Sequence, residues 1–131
     1  MPALAVTPVY AGLLAFVYLY LTYSVMRLRQ RKQLSVGDGG DPSFLRKMRA
    51  HGNFAEFVPI ALLLMAMVEL LGVGAAVLHA IGGLLLAGRL THGWCFLFTD
   101  ANLIARRAGM IMTLAAIAIG GGISLWLGLG A

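Results

Sequence analysis

The chain has 131 residues, of which 60% are hydrophobic and only 11% are charged, and its mean hydropathy is +0.88. A soluble domain is normally about half apolar and a quarter charged, so this composition excludes a water-soluble monomer. The net charge of +5 does not predict a nucleic-acid partner, because the basic residues flank apolar segments and form no aromatic-basic platform.

The first apolar segment covers about residues 3–26 and ends at four basic residues between Arg27 and Lys32. No basic residue precedes the segment, and no small-residue cleavage site stands before the basic cluster. The sequence therefore favours a membrane anchor over a removable signal peptide. A glycine-rich loop follows, and Asp41 with Pro42 is typical of the N-cap and first residue of a helix.

Three further apolar segments follow at about residues 42–71, 75–96 and 106–129. As a helix, the second segment is about 44 Å long, which exceeds a hydrocarbon core of about 30 Å. Its polar first third is therefore expected to project from the membrane. The sequence predicts a single domain over residues 1–131, an all-α membrane protein built as a bundle of four transmembrane helices.

The basic residues are confined to two of the connections between spans. Seven lie between Arg27 and Arg49, while Arg89, Arg106 and Arg107 flank the connection between the third and fourth spans. Four spans put these two connections on the same side of the bilayer. The positive-inside rule assigns that side to the cytoplasm, so both termini are expected outside.

A polar stripe opens the membrane part of the second span. Arg49, Asn53 and Glu56 follow the spacing i, i+4, i+7 and share one face of a helix. Glu56 is followed by a long apolar run, and a charge at membrane depth is costly unless it has a partner. A structural ion pair is one interpretation. The excess of arginines over carboxylates favours a second one, in which an anion binds there.

A second stripe lies on the third span, near the same membrane face. Arg89, His92 and Phe96 are spaced i, i+3, i+7, although a histidine alone is more typical of packing than of a site. Pro59 removes a backbone hydrogen bond just beyond Glu56, so a kink is expected to open space beside the first stripe. The histidines and the single cysteine show no spacing typical of zinc or haem sites, so no metal is predicted.

These residues resemble the MAPEG family, the membrane-associated proteins in eicosanoid and glutathione metabolism. The resemblance is strongest in Arg-x-His-x-Asn-x-x-Glu at residues 49–56, which Pro59 follows. The Arg-Leu-Arg sequence at residues 27–29, Gly-Arg-x-x-His at 88–92 and Arg106 extend it over most of the chain. Together with four spans in this length, the combination is specific.

The resemblance implies a homotrimer, in a bacterial inner membrane, that binds glutathione between neighbouring subunits toward the cytoplasmic side. Carried over by position, the implied glutathione shell consists of Arg29, Arg49, His51, Asn53, Glu56, Arg89, His92 and Phe96. Arg106 corresponds to the catalytic residue that stabilises the thiolate. Tyrosines stand at the positions of Phe57 and Phe96 in several family members, whereas every tyrosine here lies in the first span.

The expected function is that of a glutathione transferase-like detoxification enzyme. Glutathione is the co-substrate, and its thiolate attacks a lipophilic electrophile or hydroperoxide from the bilayer. One alternative is a small four-helix multidrug transporter that uses Glu56, which requires few cations near that residue. The other alternative is a non-catalytic membrane subunit whose polar stripes only pair helices.

Overall fold

Four long α helices make up the described part of this computed structural model, residues 3–130. They are α1 (Thr7–Lys32), α2 (Pro42–Leu70), α3 (Ala75–Phe98) and α4 (Leu103–Gly128). Each helix is long and apolar enough to cross a membrane, which confirms the predicted all-α, four-helix class. Met1, Pro2 and Ala131, which belong to the predicted domain, lie outside the described residues.

Large apolar side chains cover the outer surface of the bundle. Phe16 on α1 is 73% exposed, and Ile104 and Trp126 on α4 are 81% and 67% exposed. Such side chains occur on all four helices. A soluble monomer rarely exposes a large apolar surface, whereas lipid accepts it without cost.

The start of α2 agrees with its predicted cap. The side chain of Asp41 accepts hydrogen bonds from the backbone N–H groups of Ser43 and Phe44, at 2.9 and 3.3 Å, and Pro42 is the first helical residue. Lys32 Nζ at the end of α1 lies 2.6 Å from the same carboxylate. The hydrogen bond from Lys32 is the main reason why the pKa of Asp41 lies below its ordinary value, so the cap stays charged at neutral pH.

Two helices extend beyond the predicted limits of their spans. Helix α1 continues past Met26 to Lys32, because arginine and lysine are good helix formers and nothing interrupts the chain. Helix α4 begins at Leu103 because the Asn102 side chain caps its first free amides. Arg106 therefore lies in the first turn of α4. The sequence had placed it at the first residue of the helix.

The loop between α1 and α2 and the connection between α3 and α4 meet at one end of the bundle. Arg46 Nη2, near the start of α2, lies 3.0 Å from Asp100 Oδ1 in the α3–α4 connection. Because the basic residues concentrate here, we call this end, formed by residues 27–49 and 99–107, the basic end.

Helix α3 contacts all three of the other helices. One of its faces is buried along its whole length, through Leu78, Ile81, Leu85, Arg89, His92 and Phe96. The buried face is aliphatic in its first half and polar or aromatic in its second half. The core of the bundle thus becomes polar as it approaches the basic end.

Helices α3 and α4 cross at a pair of glycines. A Cβ atom added to Gly88 lies 2.8 Å from the backbone oxygen of Gly109, and one added to Gly109 lies 2.8 Å from that of Gly88. The two backbones therefore touch, which is a common device where helices pack in lipid. The contact places Arg89 and His92, which follow Gly88, directly beside α4.

Gly88→Ala is expected to lower the melting temperature of the detergent-solubilised protein by several degrees. The added methyl group meets backbone atoms that cannot move aside, and overpacking of this kind costs about 1–3 kcal/mol. Gly83→Ala is the matched control, because nothing lies within 4 Å of a Cβ at that position of the same helix. Equal melting temperatures for the two variants would show that the crossing tolerates a side chain.

A buried carboxylate ties the far end of α2 to the start of α1. Glu69 is 8% exposed, and its two oxygens accept hydrogen bonds from the backbone N–H groups of residues 5–7, at 2.6–2.7 Å. Amides at the start of a helix have no partner within it, and a negative charge is favoured there. Glu69 therefore anchors α1 at the end of the bundle opposite the basic end, which was not foreseen from the sequence.

Candidate functional site

A cavity of about 530 Å³ lies near the basic end, between α2, α3 and α4. Small-molecule sites commonly enclose about 300–1,000 Å³, so the space suits a small ligand. Six of the nine site residues expected from the sequence line it. They are Arg49, Asn53, Glu56, His92, Phe96 and Arg106.

The α2 wall of the cavity is the predicted polar stripe with one addition. Arg49 Nη1 lies 3.7 Å from Glu56 Oε1, and Asn53 lies between these two residues along the helix. Arg46 also lines the cavity, although sequence reasoning had not included it among the site residues. Its position three residues before Arg49 placed it on the same helical face, which was the available signal.

The opposite wall combines α3 and α4. The rings of His92 and Phe96 are 4.7 Å apart, and the guanidinium carbon of Arg106 lies 5.6 Å from the centre of the Phe96 ring. A cation at this distance from an aromatic face is attracted to it. Within residues 3–130, Arg106 forms no ion pair with a carboxylate. Phe57 also lines the cavity. Phe57 and Phe96, the two positions at which several family members carry tyrosine, therefore both border this space.

Arg89 lies behind the cavity wall and does not line the cavity. It is only 2% exposed, and its Nη1 donates to Asn53 Oδ1 at 2.7 Å. Its Nε donates to Thr113 Oγ1 on α4 at 3.0 Å, and Nη2 lies 3.4 Å from the sulfur of Met110. Arg89 thus joins three helices behind the site, and its guanidinium has no carboxylate partner among the described residues.

His51 faces the other side of α2. Its Nε2 lies 3.0 Å from Thr22 Oγ1 on α1, and its ring stacks on Tyr18 at 5.0 Å. Successive residues of an α helix are about 100° apart, so His51 and Asn53 point in nearly opposite directions. Within one subunit, His51 therefore contacts α1 and is not brought to the cavity.

Arg29 is also outside the cavity. Its Nη1 donates to the backbone oxygen of Gly37 at 3.1 Å, and its guanidinium carbon lies 5.3 Å from the Phe44 ring. Arg29 therefore holds the loop between α1 and α2 in place. Arg27 instead reaches an open polar pocket of about 190 Å³ on the outer face of the basic end. The other polar residues of that pocket are Tyr20, Tyr23, Ser24, Arg31 and Lys47.

The charges around the cavity are unbalanced. Three guanidinium groups, those of Arg46, Arg49 and Arg106, line the cavity with one carboxylate, that of Glu56. Arg46 is also paired with the exposed Asp100, which does not line the cavity, so Arg106 is the one of the three without a carboxylate partner among the described residues. The side chains of Arg49 and Glu56 remain 55% and 54% exposed, so the cavity is open on its α2 side. No cluster of metal-ligating side chains occurs in the described part of the chain. The arrangement suits an organic anion that also carries a positively charged group.

Comparison with known proteins shows the family of this chain. The chain is 36% identical over 122 residues to the inner membrane protein YecN of Escherichia coli strain K12, and to the protein of the same name from E. coli O6:H1 strain CFT073. Each match covers 92% of this chain and 91% of the relative. The model of the MAPEG family matches residues 7–126, which include α1, α2 and α3 in full and all of α4 except its last two residues. This chain therefore belongs to the MAPEG family.

Proposed function

We propose that this protein is a membrane-bound, glutathione-dependent transferase or peroxidase. The observation that carries the proposal is the cavity of about 530 Å³, which is lined by three arginines and one glutamate. Membership of a family of glutathione and eicosanoid metabolism supports it. Glutathione has two carboxylates, one ammonium group and one thiol, and the cavity offers a complement to each.

The arginines of α2 suit the carboxylates of glutathione. A guanidinium group binds a carboxylate through two parallel hydrogen bonds, so Arg46 and Arg49 are the proposed acid clamps. The pair of Arg46 with Asp100 does not prevent this, because the Asp100 side chain is 97% exposed and a surface ion pair contributes little. Glu56 is the only carboxylate among the residues that line the cavity, and it is the proposed partner of the glutathione ammonium group. The 3.7 Å separation between Arg49 Nη1 and Glu56 Oε1 is that of an ion pair without a hydrogen bond, so both groups keep hydrogen-bonding capacity for a ligand.

Arg106 is the proposed partner of the sulfur. It lines the cavity beside Phe96 and forms no ion pair with a carboxylate of residues 3–130. A nearby positive charge lowers the pKa of a thiol, and the thiolate is the nucleophile. The thiolate attacks an electrophilic carbon, a carbon–sulfur bond forms, and the leaving group departs with the electron pair of the broken bond. With phenylalanine at positions 57 and 96, this activation depends on the arginine without help from a tyrosine hydroxyl there.

A second copy of the chain is the proposed cover for the open side of the cavity. Arg49 and Glu56 are more than half exposed, which is costly for charged groups next to hydrocarbon. We therefore retain the homotrimer that the resemblance implies, with glutathione bound between subunits. In that arrangement Arg27, on the outer face of α1, takes the place first given to Arg29, because Arg29 is engaged by its own loop.

The proposed location is an inner membrane with the basic end in the cytoplasm. The matched relatives are named as inner membrane proteins, and the positive-inside rule orients the basic end inward. The lipophilic second substrate then enters from the bilayer through the apolar outer surface. An electrophile or a hydroperoxide of this solubility is the proposed substrate class.

Calorimetric titration of glutathione into the purified, detergent-solubilised protein tests the proposal directly. We expect saturable binding, and we expect S-methylglutathione, which cannot form a thiolate, to bind more weakly. Absence of glutathione binding to well-folded protein would contradict the proposed function.

The transporter alternative predicts a different result, namely proton-driven efflux of a lipophilic cation from vesicles. The three arginines that line the cavity with Glu56 disfavour cation binding there.

A further inference from the structure

We propose that Arg89 is a positioning residue that fixes the Asn53 amide with its NH₂ group toward the ligand. The inference rests on the proposed function, because glutathione supplies the acceptor that this NH₂ group would meet. It changes the role of Arg89 from a direct ligand contact to a support behind the wall. It also specifies which kind of ligand atom fits beside Asn53, namely a carboxylate or carbonyl oxygen.

The hydrogen bond between Arg89 and Asn53 has only one chemically allowed direction. Arginine is a donor without acceptor capacity, so Nη1 of Arg89 must donate to the oxygen of the Asn53 amide, 2.7 Å away. An asparagine amide has one oxygen acceptor and one NH₂ donor. With the oxygen engaged, the NH₂ group is the free end, and Asn53 is one of the residues that line the cavity.

Arg89 is itself held in a fixed direction from behind. The hydroxyl of Thr113 donates to the backbone oxygen of Gly109 at 2.8 Å, and Thr113 Oγ1 accepts from Arg89 Nε at 3.0 Å. The hydroxyl proton is therefore committed, and its oxygen is left as an acceptor. The side chains of Arg89 and Thr113 are 2% and 0% exposed, so water does not compete for these bonds.

The chain of hydrogen bonds thus sets the polarity of the cavity wall. The hydrogen bonds run from the backbone oxygen of Gly109 through Thr113 and Arg89 to Asn53. No group in this series can exchange its donor and acceptor roles without leaving a buried donor unpaired. The Asn53 NH₂ group is also polarised by the adjacent positive charge. An ammonium group is therefore rejected beside Asn53, which directs the ammonium of glutathione toward Glu56.

Two substitutions of similar size test this polarity. Asn53→Asp keeps an acceptor for Arg89 but places a second oxygen toward the cavity, whereas Asn53→Leu removes both polar groups and adds no charge. We expect glutathione affinity to fall about tenfold in Asn53→Leu and by a further factor of about ten in Asn53→Asp. The melting temperature is expected to be lower in Asn53→Leu than in Asn53→Asp, because only Asn53→Leu leaves Arg89 Nη1 without its acceptor.

The variant with the lower glutathione affinity is thus expected to have the higher melting temperature. If Arg89 and Asn53 only stabilised the fold, affinity and melting temperature would fall together. If Asn53→Asp binds glutathione as tightly as the wild type, the amide NH₂ group does not face the ligand and the inference is wrong. If the wild type itself binds no glutathione, the proposed function fails first. Should Asn53→Leu not fold, Arg89→Lys replaces it, because one ammonium group cannot reach both Asn53 and Thr113. That variant is expected to lose about tenfold in affinity, and unchanged affinity would equally overturn the inference.

Discussion

Arg106→Ala is expected to reduce glutathione-dependent turnover by a factor of about a hundred or more, while the assembly stays intact. The removal of one group that stabilises developing negative charge commonly costs a factor of about 10²–10³. Arg106 lines the cavity and has no carboxylate partner within residues 3–130, so its charge is available to the thiolate. Turnover is measured with a general electrophile such as 1-chloro-2,4-dinitrobenzene. Assembly is measured by size in detergent.

The neighbouring residue provides a matched control for this variant. Arg107 is exposed and does not line the cavity, so Arg107→Ala removes the same charge from the same turn of α4 without touching the site. It is expected to keep close to wild-type turnover. Thiolate formation can be followed separately by its ultraviolet absorbance, which is expected to shift to higher pH in Arg106→Ala. Equal turnover in the two variants would remove Arg106 from the mechanism.

Glu56→Gln is expected to raise the dissociation constant of glutathione between about tenfold and a hundredfold. A hydrogen bond to a charged group is worth about 1.5–3 kcal/mol, and glutamine keeps the shape of the side chain while losing its charge. The variant also removes the partner of Arg49, which then remains as an exposed cation. Thermal stability is expected to change little, because both side chains are more than half exposed.

The second glutamate of α2 provides the control for Glu56→Gln. Glu69→Gln makes the same chemical change at the opposite end of the same helix, where the carboxylate binds the first amides of α1. It is expected to lower the melting temperature while glutathione affinity remains unchanged. If Glu56→Gln also lowered only stability, the carboxylate would be structural. Loss of proton-coupled efflux in Glu56→Gln vesicles would instead support the transporter alternative.

The helices were predictable because apolar segments and helix signals are local properties of the chain. The apolar segment lengths predicted four membrane helices, and Asp41 with Pro42 predicted the start of α2 that the structure confirms. The exact ends of α1 and α4 were less predictable, because hydropathy marks where charges begin and not where backbone hydrogen bonding stops. Capping by Asn102 and the left-handed residue Gln33 determine those ends.

The α2 stripe was also predictable, because residues at i, i+4 and i+7 must share a helical face. The sequence alone could not show which face of α2 meets α1 and which meets α3 and α4. The resemblance assigned His51 and Asn53 to one glutathione shell shared between subunits, and the fold of one subunit places them on opposite sides of α2. The role of Arg89 was hidden for the same reason, since its partners Asn53 and Thr113 lie on other helices.

The sequence by itself determined the environment of this protein, its four helices, its basic end and the family to which it belongs. Each of these follows from composition, from spacing along one chain or from a continuous motif. Only the tertiary structure decided which arginines face the cavity, which direction Asn53 points and what Glu69 binds. Those properties depend on contacts between residues distant in sequence, which helix packing creates through close approaches such as that of Gly88 and Gly109.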